Sequence, residues 1–266
     1  MSQQLSAGIV GFPNVGKSTL FNALLKKQVA DAQNYPFTTI EPNIGVVEVP
    51  DERLSKLKEV VEKTEGLRPE FKIIPAVVKF VDIAGLVKGA ASGEGLGNQF
   101  LSHIREVDVI VFVLRDFSGE VIRAGSEEPN SDVEILKSEL LLKDLETIGK
   151  RIDGFAREIK SAAGNDPRHT VLKIMESAKA LIEQGKWLRD VMDDEEIVKI
   201  ADLQLLSFKK YMYVVNSDEG DLQKPSSIDG GFRICVKLEE ELVSLSDDEQ
   251  KEYLAELGQK EPGLNI

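Results

Sequence analysis

Residues 11–18 read Gly-Phe-Pro-Asn-Val-Gly-Lys-Ser and match the phosphate-loop pattern G-x-x-x-x-G-K-[ST]. An apolar run, Ser6–Val10, precedes them, and Lys17–Lys27 shows the apolar spacing of a helix. The glycines let successive backbone N–H groups turn inward toward phosphate oxygens, and the positive end of the helix dipole adds to the attraction. The sequence therefore predicts a strand, a phosphate-binding loop and a helix.

Three side chains near this loop carry the expected phosphate chemistry. We expect Lys17 to bridge β- and γ-phosphate oxygens in catalysis and the Ser18 hydroxyl to bind Mg²⁺. Asp82 follows the apolar run Ala76–Val81 and opens the pattern D-x-x-G, which ends at Gly85. A carboxylate at that strand end can hold Mg²⁺ through water, and the N–H of Gly85 can reach the γ-phosphate.

Two segments have the character of switch loops. Residues 34–39 read Asn-Tyr-Pro-Phe-Thr-Thr, and we expect one of the threonines to reach Mg²⁺ and the γ-phosphate. Residues 85–97 contain five glycines, which suits a loop whose order depends on the γ-phosphate. Leu86 stands where Ras-like enzymes have the glutamine that orients the attacking water. We therefore expect slow hydrolysis that depends on another protein group, a bound cation or a partner.

The residues expected to select the base follow a predicted strand, Tyr211–Val215. GTPases usually recognise guanine with N-K-x-D, whereas residues 216–219 read Asn-Ser-Asp-Glu. Ser217 lacks the aliphatic stem that packs on the base, and Asp218 has the wrong spacing to restore the motif. The longer side chain of Glu219 misplaces the carboxylate that guanine needs. The sequence therefore predicts loss of guanine discrimination and favours ATP over GTP.

Strand and helix patterns alternate through the first half of the chain, which is typical of a doubly wound α/β sheet. The remaining predicted elements are strands at 45–49 and 107–114 and a helix at 51–65. From Ser131 to Ala163 the apolar positions step by four and three residues, as in a coiled-coil seam. They are Leu141, Leu145, Ile148, Ile152, Phe155 and Ile159.

A second predicted helix follows the turn at 164–167, and its seam consists of Val171, Ile174, Ala178 and Leu181. The sequence thus predicts an α/β P-loop G-domain, residues 1–130 and 207–266, with a mainly parallel sheet. Residues 131–206 are predicted to form an inserted antiparallel coiled-coil hairpin. The alternative is two ordinary helices packed on the sheet.

The charge pattern limits the partners. A net charge of −13 argues against general nucleic-acid binding. Residues 150–190, however, hold nine Lys/Arg against six Asp/Glu, so a local basic face stays open. Cys235 is the only cysteine, and the sequence shows neither a signal peptide nor a membrane-spanning run. We expect a cytoplasmic protein.

These motifs together resemble the YchF/Ola1 ATPases, a branch of the Obg-related P-loop proteins. The resemblance extends over essentially the whole chain. It is carried by GFPNVGKSTLFNAL (11–24), NYPFTTIEPN (34–43), PDERL (50–54), VDIAGLVKGAASGEGLGNQFLSHIRE (81–106), NSDE (216–219) and EPGLN (261–265). It implies a G-domain with a coiled-coil hairpin, Mg²⁺-dependent ATP hydrolysis with ATP favoured over GTP, and binding to the ribosome or ribosomal RNA.

The resemblance also implies roles for individual residues. The phosphate-binding set is Asn14, Val15, Gly16, Lys17, Ser18 and Thr19. Ser18 and Thr39 bind Mg²⁺, and the backbone of Asn216 and Ser217 contacts the base, with Glu219 beside it. Leu86 matches the hydrophobic residue that replaces the catalytic glutamine in this group.

Two departures from the family pattern qualify these expectations. Family members continue past residues 261–265 into a C-terminal TGS domain, whereas this chain stops at Ile266, which leaves any ribosome contact by that domain open. Many members have a histidine in the strand corresponding to 107–114, where this chain has Phe112. His103 and His169 lie elsewhere, and we expect His103 to be structural.

The leading hypothesis is a monomeric, ATP-hydrolysing switch that controls docking to ribosomes. An Obg-type GTPase is the first alternative, and a small-molecule kinase the second, although the predicted coiled coil does not resemble an arginine-bearing kinase lid. The third alternative, which Leu86 and Phe112 keep open, is a nucleotide-regulated binding module that barely hydrolyses.

Overall fold

The computed structural model describes residues 4–31, 43–65, 73–83, 96–119, 122–123, 125–126, 128–161 and 163–265. The first elements are β1 (Leu5–Val10), α1 (Lys17–Asp31), β2 (Ile44–Glu48), α2 (Glu52–Glu65), β3 (Val77–Asp82), α3 (Leu96–Glu106) and β4 (Val109–Asp116). They are followed by α4 (Pro129–Glu158), α5 (Arg168–Glu183), α6 (Leu188–Val191), α7 (Asp194–Lys199), β5 (Lys210–Ser217), β6 (Phe232–Ile234), α8 (Val236–Leu242) and α9 (Asp247–Glu256).

In the described part of the chain, six strands form one sheet in the order β2-β3-β1-β4-β5-β6. All neighbouring strands run parallel except β2, which pairs antiparallel with β3 at the edge. The predicted mainly parallel α/β sheet is confirmed. Because β1, β3, β4 and β5 are parallel, their carboxyl ends meet at one edge of the sheet, where doubly wound folds bind ligands.

The core is centred on β4. Every side chain from Ile110 to Leu114 is buried, as expected for a parallel strand covered on both faces. Phe112 is fully buried and packs edge-on against Trp187 and Tyr211, with ring centroids 6.4 and 6.2 Å away. The same hydrophobic cluster continues from the sheet into the helices that follow β4.

Two helices, α4 and α5, lie where the sequence predicts a hairpin. They pack against each other, and the seam residues Ile148, Phe155 and Ala178 are buried between them and the core. The first arm begins at Pro129 and ends at Glu158, so the predicted helix 131–163 is shifted toward the amino terminus. The heptad pattern found the seam but not the ends of the helices.

The hairpin does not separate cleanly from the sheet. Near the start of α4, Leu136 and Leu140 are fully buried in the main core, and α4 contacts β4. Further along α4, the buried carboxylate of Asp144 accepts hydrogen bonds from the backbone N–H groups of Leu206 and Ser207, both at 2.8 Å. The hydroxyl of Ser207 donates to the same carboxylate at 2.6 Å. The hairpin is therefore anchored to the segment that leads into β5.

Helix α2 departs from the expected amphipathic burial. Leu57 and Val60 lie at helical spacing. In the part of the chain that the structure describes, however, 58% and 59% of their surfaces are left exposed. Helical spacing predicts the helix but cannot show whether another element covers it. In the described residues, no helix is both long and apolar enough to cross a membrane.

Candidate nucleotide-binding site

The loop between β1 and α1 has the curled backbone that a phosphate cradle needs. Asn14 and Gly16 have φ angles of 63° and 98°, both in the left-handed region. At Gly16 a side chain would also collide, because its Cβ would lie 2.4 Å from Nδ2 of Asn216. Glycine is thus required at position 16 by both conformation and space. The backbone forms the concave turn that binds anions in P-loops.

Lys17 lies at the first position of α1 and is only 8% exposed. Its ammonium donates a hydrogen bond to the carbonyl oxygen of Phe12 at 2.8 Å, so the side chain folds back over the loop. Burial lowers the pKa of Lys17, and the nearby carboxylate of Asp82 partly opposes that shift. The ammonium is therefore held at the mouth of the phosphate cradle.

Ser18 and Asp82 meet beside the cradle. The Ser18 hydroxyl donates to the Asp82 carboxylate at 2.9 Å, which joins the start of α1 to the carboxyl end of β3. A hydroxyl and a carboxylate oxygen at this separation are the hard oxygen donors that Mg²⁺ prefers. The residues present therefore fit a magnesium ion at this point.

Asn216 ties the base side of the site to the phosphate side. Its side chain is 6% exposed, and Nδ2 donates to the carbonyl oxygen of Val15 at 3.0 Å. The amide oxygen accepts from the backbone N–H of Val236 at 3.1 Å. One amide group thus joins the phosphate loop, the end of β5 and the start of α8.

The two acidic residues that follow are engaged by protein donors. Asp218 accepts hydrogen bonds from the backbone N–H and the hydroxyl of Ser118, both at 2.8 Å. Glu219 accepts a hydrogen bond from the Tyr253 hydroxyl at 3.2 Å. Asp218 therefore fixes the loop after β4 against the loop after β5, and Glu219 is linked to α9.

These loops surround a cavity of about 680 Å³ at the carboxyl edge of the sheet. Sequence reasoning placed Asn14, Gly16, Thr19, Asn216, Ser217 and Glu219 at the site, and all six line the cavity. Lys17, Ser18 and Asp82 lie together at the adjoining end of the phosphate loop. Thr39, Gly85 and Leu86 lie outside the described residues.

Sequence reasoning missed several walls of this cavity. They are Phe117 and Ser118 after β4, and Cys235 with the α8 residues Val236, Lys237, Leu238, Glu240 and Glu241. No motif marks these residues. The one available signal was position, because Phe117 follows the central strand β4 at the edge where ligands bind.

The remaining sequence candidates lie away from the cavity. Phe112 is buried among aromatic side chains of the core and does not line the cavity. His103 is exposed on α3, and its expected structural role stays a prediction. His169 lies at the start of α5 in the hairpin.

Comparisons with known proteins agree with this geometry. A family model described as "50S ribosome-binding GTPase" matches residues 6–151. The chain is 43% identical to the "Ribosome-binding ATPase YchF" of Bacillus subtilis, over 98% of this chain and 73% of that protein. It is 40% identical to the protein of the same name from Escherichia coli O157:H7, over 97% of this chain and 72% of that one.

A solved structure gives the same result for the fold. The YchF GTPase of Schizosaccharomyces pombe superimposes with a TM-score of 0.80 at 34% sequence identity. The match covers 100% of this chain and 74% of the yeast protein.

Proposed function

The chain belongs to the YchF family of P-loop proteins, and from this membership we propose that it is a Mg²⁺-dependent nucleotide-hydrolysing switch. We propose further that it prefers ATP to GTP and acts on ribosomes in the cytoplasm. Hydrolysis of the γ-phosphate and association with the ribosome follow from the family. The preference for ATP and the need for Mg²⁺ rest on this chain's own residues.

The names of the relatives do not show whether the bound nucleotide carries adenine or guanine, since some are called ATPases and others GTPases. The observation that carries the ATP proposal is the engagement of both carboxylates in residues 216–219. Guanine recognition needs a carboxylate that accepts from N1–H and the exocyclic amine. Here Asp218 accepts hydrogen bonds from Ser118, and Glu219 accepts a hydrogen bond from Tyr253. Neither is preorganised for guanine, and Ser217 replaces the lysine that packs on it.

The phosphate end of the site supports hydrolysis. Lys17 would bind β- and γ-phosphate oxygens, with Ser18 and Thr39 on Mg²⁺ and Asp82 held to the ion through water. The ion would neutralise charge on the phosphate oxygens. The N–H of Gly85 would face the γ-phosphate, and Leu86 cannot orient water. We therefore propose that the isolated protein hydrolyses ATP slowly and that a partner or another group accelerates the reaction.

The hairpin is the proposed contact with the ribosome. Its tip carries the exposed cations Arg157, Lys160, Arg168 and Lys173 on a chain whose net charge is −13. Clustered Lys/Arg side chains neutralise RNA phosphates, whereas the rest of this acidic surface repels them. We also propose the division into a G-domain, residues 1–130 and 207–266, and a hairpin, residues 131–206, because α4 and α5, which lie between β4 and β5 in the sequence, pack against each other.

Cosedimentation with ribosomes tests the switch and its docking surface together. The protein should pellet with ribosomes more tightly with a non-hydrolysable ATP analogue than with ADP. The double variant Arg157→Ala/Lys160→Ala should weaken binding by about tenfold and reduce the dependence of log affinity on log salt by one to two units, since each phosphate contact contributes about −0.7 to −0.9.

A matched control is the double variant Lys56→Ala/Lys251→Ala, which removes the same charge from exposed positions on α2 and α9. It should bind ribosomes as the wild type does. Equal weakening in both variants would show that overall charge, not the hairpin tip, determines binding. Binding that is independent of the nucleotide would contradict the switch.

A further inference from the structure

Helix α8 forms one wall of the nucleotide cavity through Val236, Lys237, Leu238, Glu240 and Glu241. On one side it packs against α1, where Lys26 and Glu240 form an ion pair at 2.7 Å. On its other side the helix is held by the last stretch of the described chain.

Glu239 is the one residue within 236–241 that does not line the cavity, and its side chain is 4% exposed. Its carboxylate accepts hydrogen bonds from the backbone N–H groups of Gly263 at 2.6 Å and Leu264 at 3.2 Å. A Cβ at position 263 would lie 2.8 Å from Oε1 of Glu239, so the close approach depends on glycine. A buried carboxylate that accepts two backbone N–H bonds is a strong local anchor.

Two further contacts join the same stretch to the base side of the cavity. The Tyr253 hydroxyl on α9 donates to Glu219, which lines the cavity. The side-chain amide of Gln223, a few residues after Glu219, donates to the carbonyl oxygens of Leu257 and Gly258 at 3.4 and 3.0 Å.

The apolar packing here is also separate from the main core. Cys235, Leu238, Leu242 and Leu254 form their own buried cluster. Cys235 and Leu238 line the cavity, while Leu254 belongs to α9. The wall of the cavity therefore rests on a small core that α9 completes.

We propose that residues 247–265, here called the clasp, position the wall of the nucleotide site formed by Cys235 and α8, here called the base-side wall. Glu239 on α8 is the positioning residue, because its carboxylate holds the clasp. The proposal rests on the proposed nucleotide binding. By linkage, if the clasp raises the affinity for the nucleotide, then the nucleotide stabilises the clasp by the same free energy. The phosphate loop itself is built on β1 and α1, and in the described part of the chain no hydrogen bond joins it directly to the clasp.

Glu239→Gln tests this directly, because the amide keeps one acceptor oxygen and the size of the side chain but loses the second bond and the charge. The Kd for an ATP analogue should rise at least about fivefold, the lower end of typical coupling between sites. The Kd for inorganic tripolyphosphate, which engages only the phosphate loop, should stay within about twofold of the wild-type value. Tyr253→Phe is a second variant, which removes only the hydroxyl that donates to Glu219. It should raise the Kd for the ATP analogue by a smaller factor.

Glu59→Gln is the matched control, since it makes the same chemical change at an exposed position on α2, outside the clasp and the cavity. It should leave both affinities unchanged. In the wild type, hydrogen exchange of the amides of Gly263 and Leu264 should slow when the ATP analogue binds, and Glu239→Gln should remove that protection.

Three outcomes would overturn the clasp. One is an unchanged ATP affinity in Glu239→Gln and Tyr253→Phe alongside normal wild-type binding, and this result would leave the proposed function intact. Another is an equal loss of affinity for ATP and tripolyphosphate, which would indicate a general disturbance of the fold. If the wild type bound tripolyphosphate but no nucleotide, the proposed function itself would be wrong, and the clasp with it.

Discussion

Lys17→Ala should lower the single-turnover rate of ATP hydrolysis by at least about a hundredfold, the usual cost of removing one preorganised donor to developing charge. The ammonium of Lys17 is held over the phosphate loop by its bond to Phe12, and it is close enough to Asp82 for the two charges to interact. When a nucleotide enters, phosphate oxygens provide a better acceptor than a backbone carbonyl because the hydrogen bond becomes charge-assisted. Alanine removes this interaction and leaves the loop backbone in place.

The measurement is phosphate release under single-turnover conditions, with Mg²⁺ present and with Mg²⁺ chelated. Lys56→Ala, at an exposed position on α2, is the control and should hydrolyse ATP at the wild-type rate. If the wild type were no faster than Lys17→Ala, the protein would be a nucleotide-regulated binding module with little hydrolysis. That outcome would agree with Leu86 but contradict the proposed enzyme.

Asn216→Ala should destabilise the protein by about 2–4 kcal/mol, since two buried backbone groups lose their partner and each such loss costs roughly 1–3 kcal/mol. The groups are the carbonyl of Val15 and the N–H of Val236. The affinity for ATP should also fall, because the phosphate loop and the base-side wall are no longer held together. We expect a decrease of at least about tenfold, which corresponds to about 1.4 kcal/mol of binding free energy.

Urea unfolding and an ATP titration on the same preparations check both parts of this prediction. Asn130→Ala is the matched control. Asn130 is exposed at the start of α4 and donates one hydrogen bond to the carbonyl of Ser227 at 3.0 Å, so its loss should cost under about 1 kcal/mol. Equal destabilisation by the two substitutions would contradict the role of Asn216 as the link between the two halves of the site.

The predictable part of the site is the part whose chemistry restricts both residue type and spacing. The phosphate loop needs glycine at position 16 because of its backbone angle, and this requirement leaves a motif in the sequence. The position of Asp82 was predictable because it follows an apolar run, which forms the strand β3 next to β1. The pairing of Ser18 with Asp82 then follows from the parallel strand order.

The base side of the cavity could not be predicted in this way. Phe117 and Leu238 contribute surface rather than a fixed chemical group, and many apolar residues can do the same. Asp218 illustrates the limit further. Its spacing excluded it from the guanine motif, and only the structure shows that its carboxylate holds Ser118.

Among the helices, tertiary packing determines which apolar side chains are buried, and the periodicity of the sequence does not show this. The heptad positions of α4 identified a buried seam, but the same spacing in α2 belongs to side chains that are mostly exposed. Periodicity shows which residues share one face of a helix, whereas burial depends on what lies opposite. Glu239 was hidden for the opposite reason, since a glutamate in an acidic helix predicts an exposed side chain, not a buried anchor.

Titration of the purified protein with non-hydrolysable ATP and GTP analogues, in separate calorimetric experiments with Mg²⁺, tests the central claim most directly. The engaged carboxylates of Asp218 and Glu219 predict that the ATP analogue binds at least about tenfold more tightly, a difference of about 1.4 kcal/mol. A GTP analogue that bound as tightly as the ATP analogue, or more tightly, would contradict the account and identify the protein as an Obg-type GTPase.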